Sequence, residues 1–160
     1  ICVSDALACP AEYDRVLALA NTSGKVAGSA FTVIGCDVLI NGEVVATTGA
    51  DGVFTIPSLA AGTYTATLSY AYGYDRDIQI TVADTDVDLG TYGMVVCNFK
   101  KDAAINGTDY NTYKKSTGKS KGSASYNEAC DFNHDGAVND TDYNIYKAFT
   151  GKTLSNAIYG

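Results

Sequence analysis

The stretch Asp131-Phe132-Asn133-His134-Asp135-Gly136-Ala137-Val138-Asn139-Asp140-Thr141-Asp142 decides how the rest of the chain is read. Counted as a loop of twelve, it puts side-chain oxygens at alternate positions: Asp131 at 1, Asn133 at 3, Asp135 at 5 and Asn139 at 9, with Asp142 at 12. Ala137, at 7, offers only its backbone carbonyl. Gly136, at 6, stands where the chain must turn sharply, and glycine makes that turn without a Cβ penalty. Calcium is a hard cation that takes roughly six to eight oxygens, and this spacing lets alternate side chains converge on one point. The expected ligands are therefore Asp131, Asn133, Asp135, the Ala137 carbonyl and Asp142, with Asn139 direct or through water. Val138 points away into a core. Thr141 and Asp142 begin a helix, whose N-terminus favours a hydroxyl or carboxylate. The plain alternative is an acidic turn without metal.

The loop has a counterpart 33 residues upstream. Cys97 to Lys119 reads CNFKKDAAINGTDYNTYKKSTGK and Cys130 to Lys152 reads CDFNHDGAVNDTDYNIYKAFTGK, identical at 14 of 23 positions. A repeat of this kind is two copies of one loop-plus-helix unit, and neither copy alone can bury its apolar face. Packing about a pseudo-twofold axis follows. The first copy is degenerate: among Asn98, Lys100, Asp102, Ala104 and Asp109, Asn98 replaces the first Asp and Lys100 the ligand at position 3, while Ala103 replaces the glycine. One calcium is expected, in the second loop. In the first, the Lys100 ammonium is expected to reach Asp102 and Asp109 in place of a cation; the alternative leaves Lys100 in solvent and the loop held by backbone bonds.

Duplicated loops closed by Asp at position 12, where the usual EF-hand loop has Glu, with Asn-x-Thr-Asp around the closure, resemble a dockerin. The resemblance covers residues 96–160. It implies a secreted module that plugs its parent protein into a cellulosome-like complex by binding a cohesin on a scaffoldin. It also implies that the loop end and one helical face meet the partner. In the second copy these are Asp140, Thr141, Asn144, Ile145, Ala148, Phe149 and Lys152, of which 141, 145, 148, 149 and 152 share one helical stripe. The first copy has Gly107, Thr108, Asn111, Thr112, Lys115, Ser116 and Lys119 there. Ile145 and Phe149 thus read as apolar anchors on one helix alone, giving a single binding orientation. The alternative packs them against the preceding module or the tail from Leu154. Tyr110, Tyr113, Tyr143 and Tyr146 fall on the opposite side and read as core.

The 160 residues carry a net charge of −7, which disfavours nucleic acid, since phosphate binding needs a basic patch. No apolar run reaches the length of a membrane span. Without an initiating Met or a leader, the chain reads as a piece of a longer precursor. A calcium loop on a Thr-, Ser-, Asn- and Tyr-rich chain suggests export, to the extracellular space or a cell surface through the scaffoldin. Alone, it is expected to be a monomer. The five cysteines, Cys2, Cys9, Cys36, Cys97 and Cys130, are an odd number and do not form a dense disulfide framework. Cys97 and Cys130 precede the two loops at equivalent positions. They are either bonded or, the preferred reading, small buried thiols.

Ahead of the repeat the texture changes. Residues 1–22 form an N-terminal segment in which Pro10 opens a short helix with a stripe of Tyr13, Val16, Leu17 and Ala20, or else a strand. Residues 23–95 alternate short β-rich runs with Gly, Asn and Asp turns. Strands are expected near 24–34, 36–41, 43–48, 52–56, 63–70, 76–82 and 86–95, with Asn41-Gly42 a hairpin turn. The pattern is that of a small antiparallel β-sandwich. Ala50-Asp51-Gly52-Val53-Phe54, then Leu59 to Tyr64, then Gly73-Tyr74, resemble the carboxypeptidase regulatory-like, prealbumin- or Ig-like sandwich, the X-module type of accessory domain. That resemblance implies support without catalysis. The fold class is thus an all-β sandwich followed by a small all-α dockerin, with no linker and a shared interface between them.

Catalytic chemistry is poorly represented. His134, the single histidine, sits at loop position 4, expected to face solvent, and one histidine without a nucleophile assembles no triad. Asp75 and Asp77 read as solvated charges. Besides the docking module, two further readings stand. One is a carbohydrate-binding sandwich with a calcium-stabilised appendage, suggested by twelve tyrosines but not by the absence of Trp. The other is an enzyme fragment lacking its catalytic part.

Overall fold

The computed structural model describes residues 19–28 and 31–154. The helix expected after Pro10, Cys2 and Cys9 lie outside the described residues. Seven strands come first: β1 (Leu19–Val26), β2 (Asp37–Ile40), β3 (Glu43–Thr47), β4 (Val53–Ala60), β5 (Gly62–Ser69), β6 (Arg76–Val82) and β7 (Val87–Tyr92). They form a three-stranded sheet in the order β4-β1-β7 and a four-stranded sheet in the order β3-β2-β5-β6. Period-2 alternation sends Val38, Ile40, Ala66, Leu68, Ile78, Ile80 and Val82 inward from the larger sheet, and Ala20, Val26, Phe54 and Ile56 from the smaller. Asn41 and Gly42 both take positive φ, 53° and 80°, as the tight hairpin between β2 and β3 requires.

Two expectations change. β1 begins at Leu19, so the sandwich takes in residues assigned above to the N-terminal segment. The sandwich is also not wholly antiparallel. After β6 the chain crosses from the edge of one sheet to the edge of the other, and β7 arrives parallel to β1, pairing Thr22 with Val87 and Val26 with Tyr92.

The repeat supplies α1 (Gly107–Ser116) and α2 (Asp140–Phe149), with a single 3-10 turn, Glu128–Cys130, between them. Asn106 and Asn139 cap the two helices, and Asp109 and Asp142 complete both capping boxes. Thr-Gly-Lys follows each helix, with Gly118 at φ +73° and Gly151 at +82°. Each glycine turns the chain back across the other unit's loop. Gly118 N–H donates to Val138 O (2.8 Å) and Gly151 N–H to Ile105 O (2.9 Å); Lys121 N–H reaches Gly136 O and Leu154 N–H reaches Ala103 O. The units are therefore interlocked. The helices exchange one more pair of bonds: Tyr113 Oη donates to Asn139 O and Tyr146 Oη to Asn106 O, both at 3.1 Å, with the rings stacked 5.4 Å apart.

The two modules share one buried core. Met94, Val95, Val96 and Cys97 run from the sandwich into the first unit, all buried. Tyr74 N–H donates to Val95 O and Asn98 N–H to Tyr72 O (2.9 Å). A Cβ on Gly73 would sit 2.5 Å from Val95 O, so this close approach requires glycine. Cys36, Cys97 and Cys130 are free and buried. Burial pushes the Cys36 and Cys130 thiols up to about 12 and Cys97 well above its ordinary range. These are packing residues, not nucleophiles.

Candidate calcium loop and docking face

The six residues expected around the cation are joined in one hydrogen-bond network. Asp131, 2 % exposed, accepts from Asp135 N–H at Oδ1 (3.1 Å), and from Gly136 N–H (2.8 Å) and the Tyr126 hydroxyl (2.7 Å) at Oδ2. Asp142, 0 % exposed, accepts from Phe132 N–H (2.7 Å) and Asn133 N–H at Oδ1, and from Asn139 N–H (2.8 Å) at Oδ2. Asp135 is exposed; it takes Ala137 N–H and the amides of Asn133 (2.9 Å) and Asn139. Asn139 Oδ1 caps Thr141 N–H, and its amide reaches Ala137 O. Gly136 has φ +90°, the turn that the sixth position demands.

The electrostatics favour a cation. Burial, the largest effect, raises the Asp142 carboxyl above its usual range, and the Asp131 charge adds to it. Asn133, Ala137 and Asn139 hold Asp135 below that range. Among the described residues no cationic side chain pairs with Asp131 or Asp142; the ion pair found is Lys101–Asp75 at 2.8 Å. Two buried carboxylates with carbonyl and amide oxygens around them form a hard, all-oxygen donor set that suits calcium. No cluster of three or more His, Cys, Asp or Glu side chains gathers as a metal site among the described residues. Asp131 and Asp142 are the buried carboxylates of the loop, and Asp135 faces its neighbouring amides.

In the first loop the buried polar side chains are satisfied by backbone partners. Asp109 is fully buried and accepts from Lys100 N–H (3.2 Å) and Asn106 N–H (2.9 Å). Asn98, buried where Asp131 stands in the second copy, folds back on Asp102, donating to its carbonyl (2.7 Å) and accepting from its N–H. Asp102 Oδ1 takes Ala104 N–H. Ala103 does not enter the left-handed region that Gly136 occupies. The expected Lys100 substitution is not made: Lys100 is exposed and, among the described residues, pairs with neither Asp102 nor Asp109. Backbone N–H groups already satisfy Asp109, so a long charged side chain gains little by ordering there.

Loop position 4 carries a role the sequence did not disclose. Lys101 and His134 occupy it in the two copies, and both are left-handed, at φ 54° and 58°. Lys101 Nζ donates to Tyr70 O (2.6 Å), Gly73 O (2.8 Å) and Asp75 Oδ1 (2.8 Å). His134 Nε2 lies 2.8 Å from Thr32 O. His134 is exposed, as expected, and through this bond also contacts the sandwich. Both loops are stapled to the preceding module at the same position.

The expected docking face divides. Asp140, Thr141, Asn144 and Ala148 are exposed, and Lys152 is partly so. Ile145 is only 6 % exposed and belongs to the core. Phe149 packs edge-on to Phe31 of the sandwich side, centroids 5.8 Å apart, and is half-buried. Ile145 is therefore not an accessible anchor: the apolar stripe of α2 is spent on packing within the molecule. Of the four tyrosines, Tyr113 and Tyr146 are buried as expected, whereas Tyr110 and Tyr143 are 37 % and 38 % exposed, pseudo-symmetric on the outer side.

Comparison with known proteins follows this geometry. The family model of the dockerin type I domain matches residues 99–149. Two crystal structures of type II cohesin–X–dockerin complexes from Acetivibrio cellulolyticus, a C-terminal and an N-terminal interface mutant, are similar to the chain. Each shares 29 % identity, covering 86 % of this chain and 99 % of that chain, with TM-scores of 0.68 and 0.67. No curated protein matches. Residues 99–149 thus match the dockerin type I domain family, behind a β-sandwich consistent with an X module.

Proposed function

We propose that this chain is a calcium-dependent, non-catalytic docking module whose dockerin domain binds a cohesin on a scaffoldin and so attaches an extracellular parent protein to a cellulosome-like complex. The observation that carries this reading is the second loop, where Asp131 and Asp142 are buried together without a cationic side chain, within a segment that matches the dockerin family. The working division is an N-terminal segment to residue 18, a supporting sandwich that starts with β1 at Leu19 and runs to residue 95, and a dockerin over 96–160. Calcium would be held by Asp131, Asn133, Asp135, the Ala137 carbonyl and Asp142, with Asn139 beside it. It would neutralise the buried carboxylates and fix the N-terminus of α2. The partner face that remains exposed is Asp140, Thr141, Asn144 and Ala148 on α2, with Thr108, Asn111 and Lys115 on α1. Apart from Ala148 it is polar on both helices, so recognition leans on hydrogen bonds more than on a buried anchor.

The matching family is type I and the similar complexes are type II. The test is therefore titration calorimetry against cohesins of both types, in calcium and again in excess chelator. Binding of at least one cohesin that weakens more than about tenfold in chelator is expected, because the face is anchored to the loop. No binding to any cohesin in either condition would overturn the reading.

A further inference from the structure

The segment between the two units places one residue against the candidate calcium loop that no ligand pattern anticipates. Tyr126 lies five residues before Asp131, half-buried, with its backbone N–H on Ser123 O (3.1 Å). The next residue, Asn127, is tied down by Ser116 Oγ at 2.7 Å, so the segment is held at the end of α1. From there the Tyr126 hydroxyl donates to Asp131 Oδ2. Each carboxylate oxygen accepts about two hydrogen bonds. Oδ2 takes Gly136 N–H and the Tyr126 hydroxyl, which fills it. Oδ1 takes Asp135 N–H alone and keeps one lone pair free.

We propose that Tyr126 is a positioning residue of the calcium site: by occupying Oδ2 of Asp131 it fixes the carboxylate's rotation and leaves Oδ1 as the single oxygen available to the cation. The inference rests on the calcium reading above. Hydrogen-bonded partners that orient a metal ligand commonly matter about 10- to 100-fold in affinity. A phenol stays protonated at neutral pH, so the Tyr126 hydroxyl acts as the donor in this pair. The first unit lacks the device: 33 residues earlier stands Gly93, and the loop it precedes begins with Asn98, whose amide turns to Asp102. Orienting tyrosine and position-1 carboxylate are present together in one copy and missing together in the other.

The test is calcium titration calorimetry on the full chain, with Tyr126→Phe, Asp131→Ala and the double variant. Tyr143→Phe serves as control, since that ring is exposed and packs on Tyr113 and Lys147. Wild type and Tyr143→Phe should bind calcium equally. Tyr126→Phe should weaken binding about tenfold while circular dichroism at saturating calcium stays unchanged. In the Asp131→Ala background, Tyr126→Phe should make no further difference. Unchanged affinity in Tyr126→Phe, or an equal loss with and without Asp131, would overturn the positioning role while leaving the calcium site intact. Failure of the wild type to bind calcium would instead remove the calcium reading and this inference with it.

Discussion

The two repeats share 14 of 23 residues and the same loop, helix and return segment, yet they have been put to different uses. Where they agree, they build the symmetric frame: asparagine caps, Asp109 and Asp142 in the capping boxes, Tyr113 and Tyr146 exchanging bonds, Gly118 and Gly151 turning back across the partner loop. Where they differ, each difference has a local cause. Gly136 and Asp131 keep the second loop curled around a pair of buried carboxylates. Ala103 and Asn98 let the first collapse onto its own backbone. Ile145 and Phe149 are buried or half-buried against the common core, while their counterparts Thr112 and Ser116 are polar; Ser116 instead accepts Asn127 N–H. The lesson is that duplication preserves the frame, while asymmetry separates the two loops and seats the sandwich.

The comparison is broken most severely at position 12 of the loops. Asp142→Ala should lower calcium affinity more than about 100-fold, because it removes a buried ligand. Asp109→Ala should leave calcium binding unchanged and cost about 2 kcal/mol of stability, for two N–H groups lose their acceptor. Calcium titration and urea unfolding of both variants separate the two effects. Calcium loss in Asp109→Ala would show that the first loop also binds.

Next in size is the packing asymmetry. Phe149→Ala should destabilise the chain by about 2 kcal/mol, as a half-buried aromatic leaves its contact with Phe31. Ser116→Ala should cost about 1 kcal/mol, leaving Asn127 N–H without its acceptor. Both are measured by denaturant unfolding in saturating calcium, and neither should change cohesin affinity more than about threefold. A large affinity loss in Phe149→Ala at unchanged stability would restore Phe149 as an anchor.

The smallest effect sharpens the symmetric side. Tyr113→Phe and Tyr146→Phe each remove one bond to the opposite helix cap, and each should cost about 1 kcal/mol, equal to within a few tenths. A marked inequality between them would mean that the pseudo-twofold frame is not energetically symmetric.

Much of this was legible in the chain. Loop residues act at fixed local offsets, so Asp131 to Asp142, the caps and the Asn41-Gly42 turn could be read from spacing alone. Period-2 alternation located the seven strands to within a few residues, apart from β1, which both begins and ends earlier than the expected 24–34, and β4, which runs on to Ala60 beyond the expected end at 56. Burial of Cys36, Cys97 and Cys130 agrees with the packing reading. Periodicity also assigned Ile145 and Phe149 to one stripe, but an apolar stripe looks the same whether it faces a partner or a neighbouring module. The exposed positions of Tyr110 and Tyr143, one turn from buried rings of the same type, were invisible for the same reason.

The sequence by itself determined the local chemistry: which oxygens stand at which loop positions, where glycine permits a left-handed turn, which residues cap the helices, and that the first copy departs from the second at Asn98, Lys100 and Ala103. These depend on offsets of a few residues and elementary stereochemistry. Only the tertiary structure decided what those elements touch. It brought Tyr126 to Asp131, turned Lys101 and His134 onto carbonyls of the sandwich, ran β7 parallel to β1, and covered Ile145. Each is a contact between segments whose meeting depends on how the sheets and the repeat close on a shared core, and no local spacing encodes that closure.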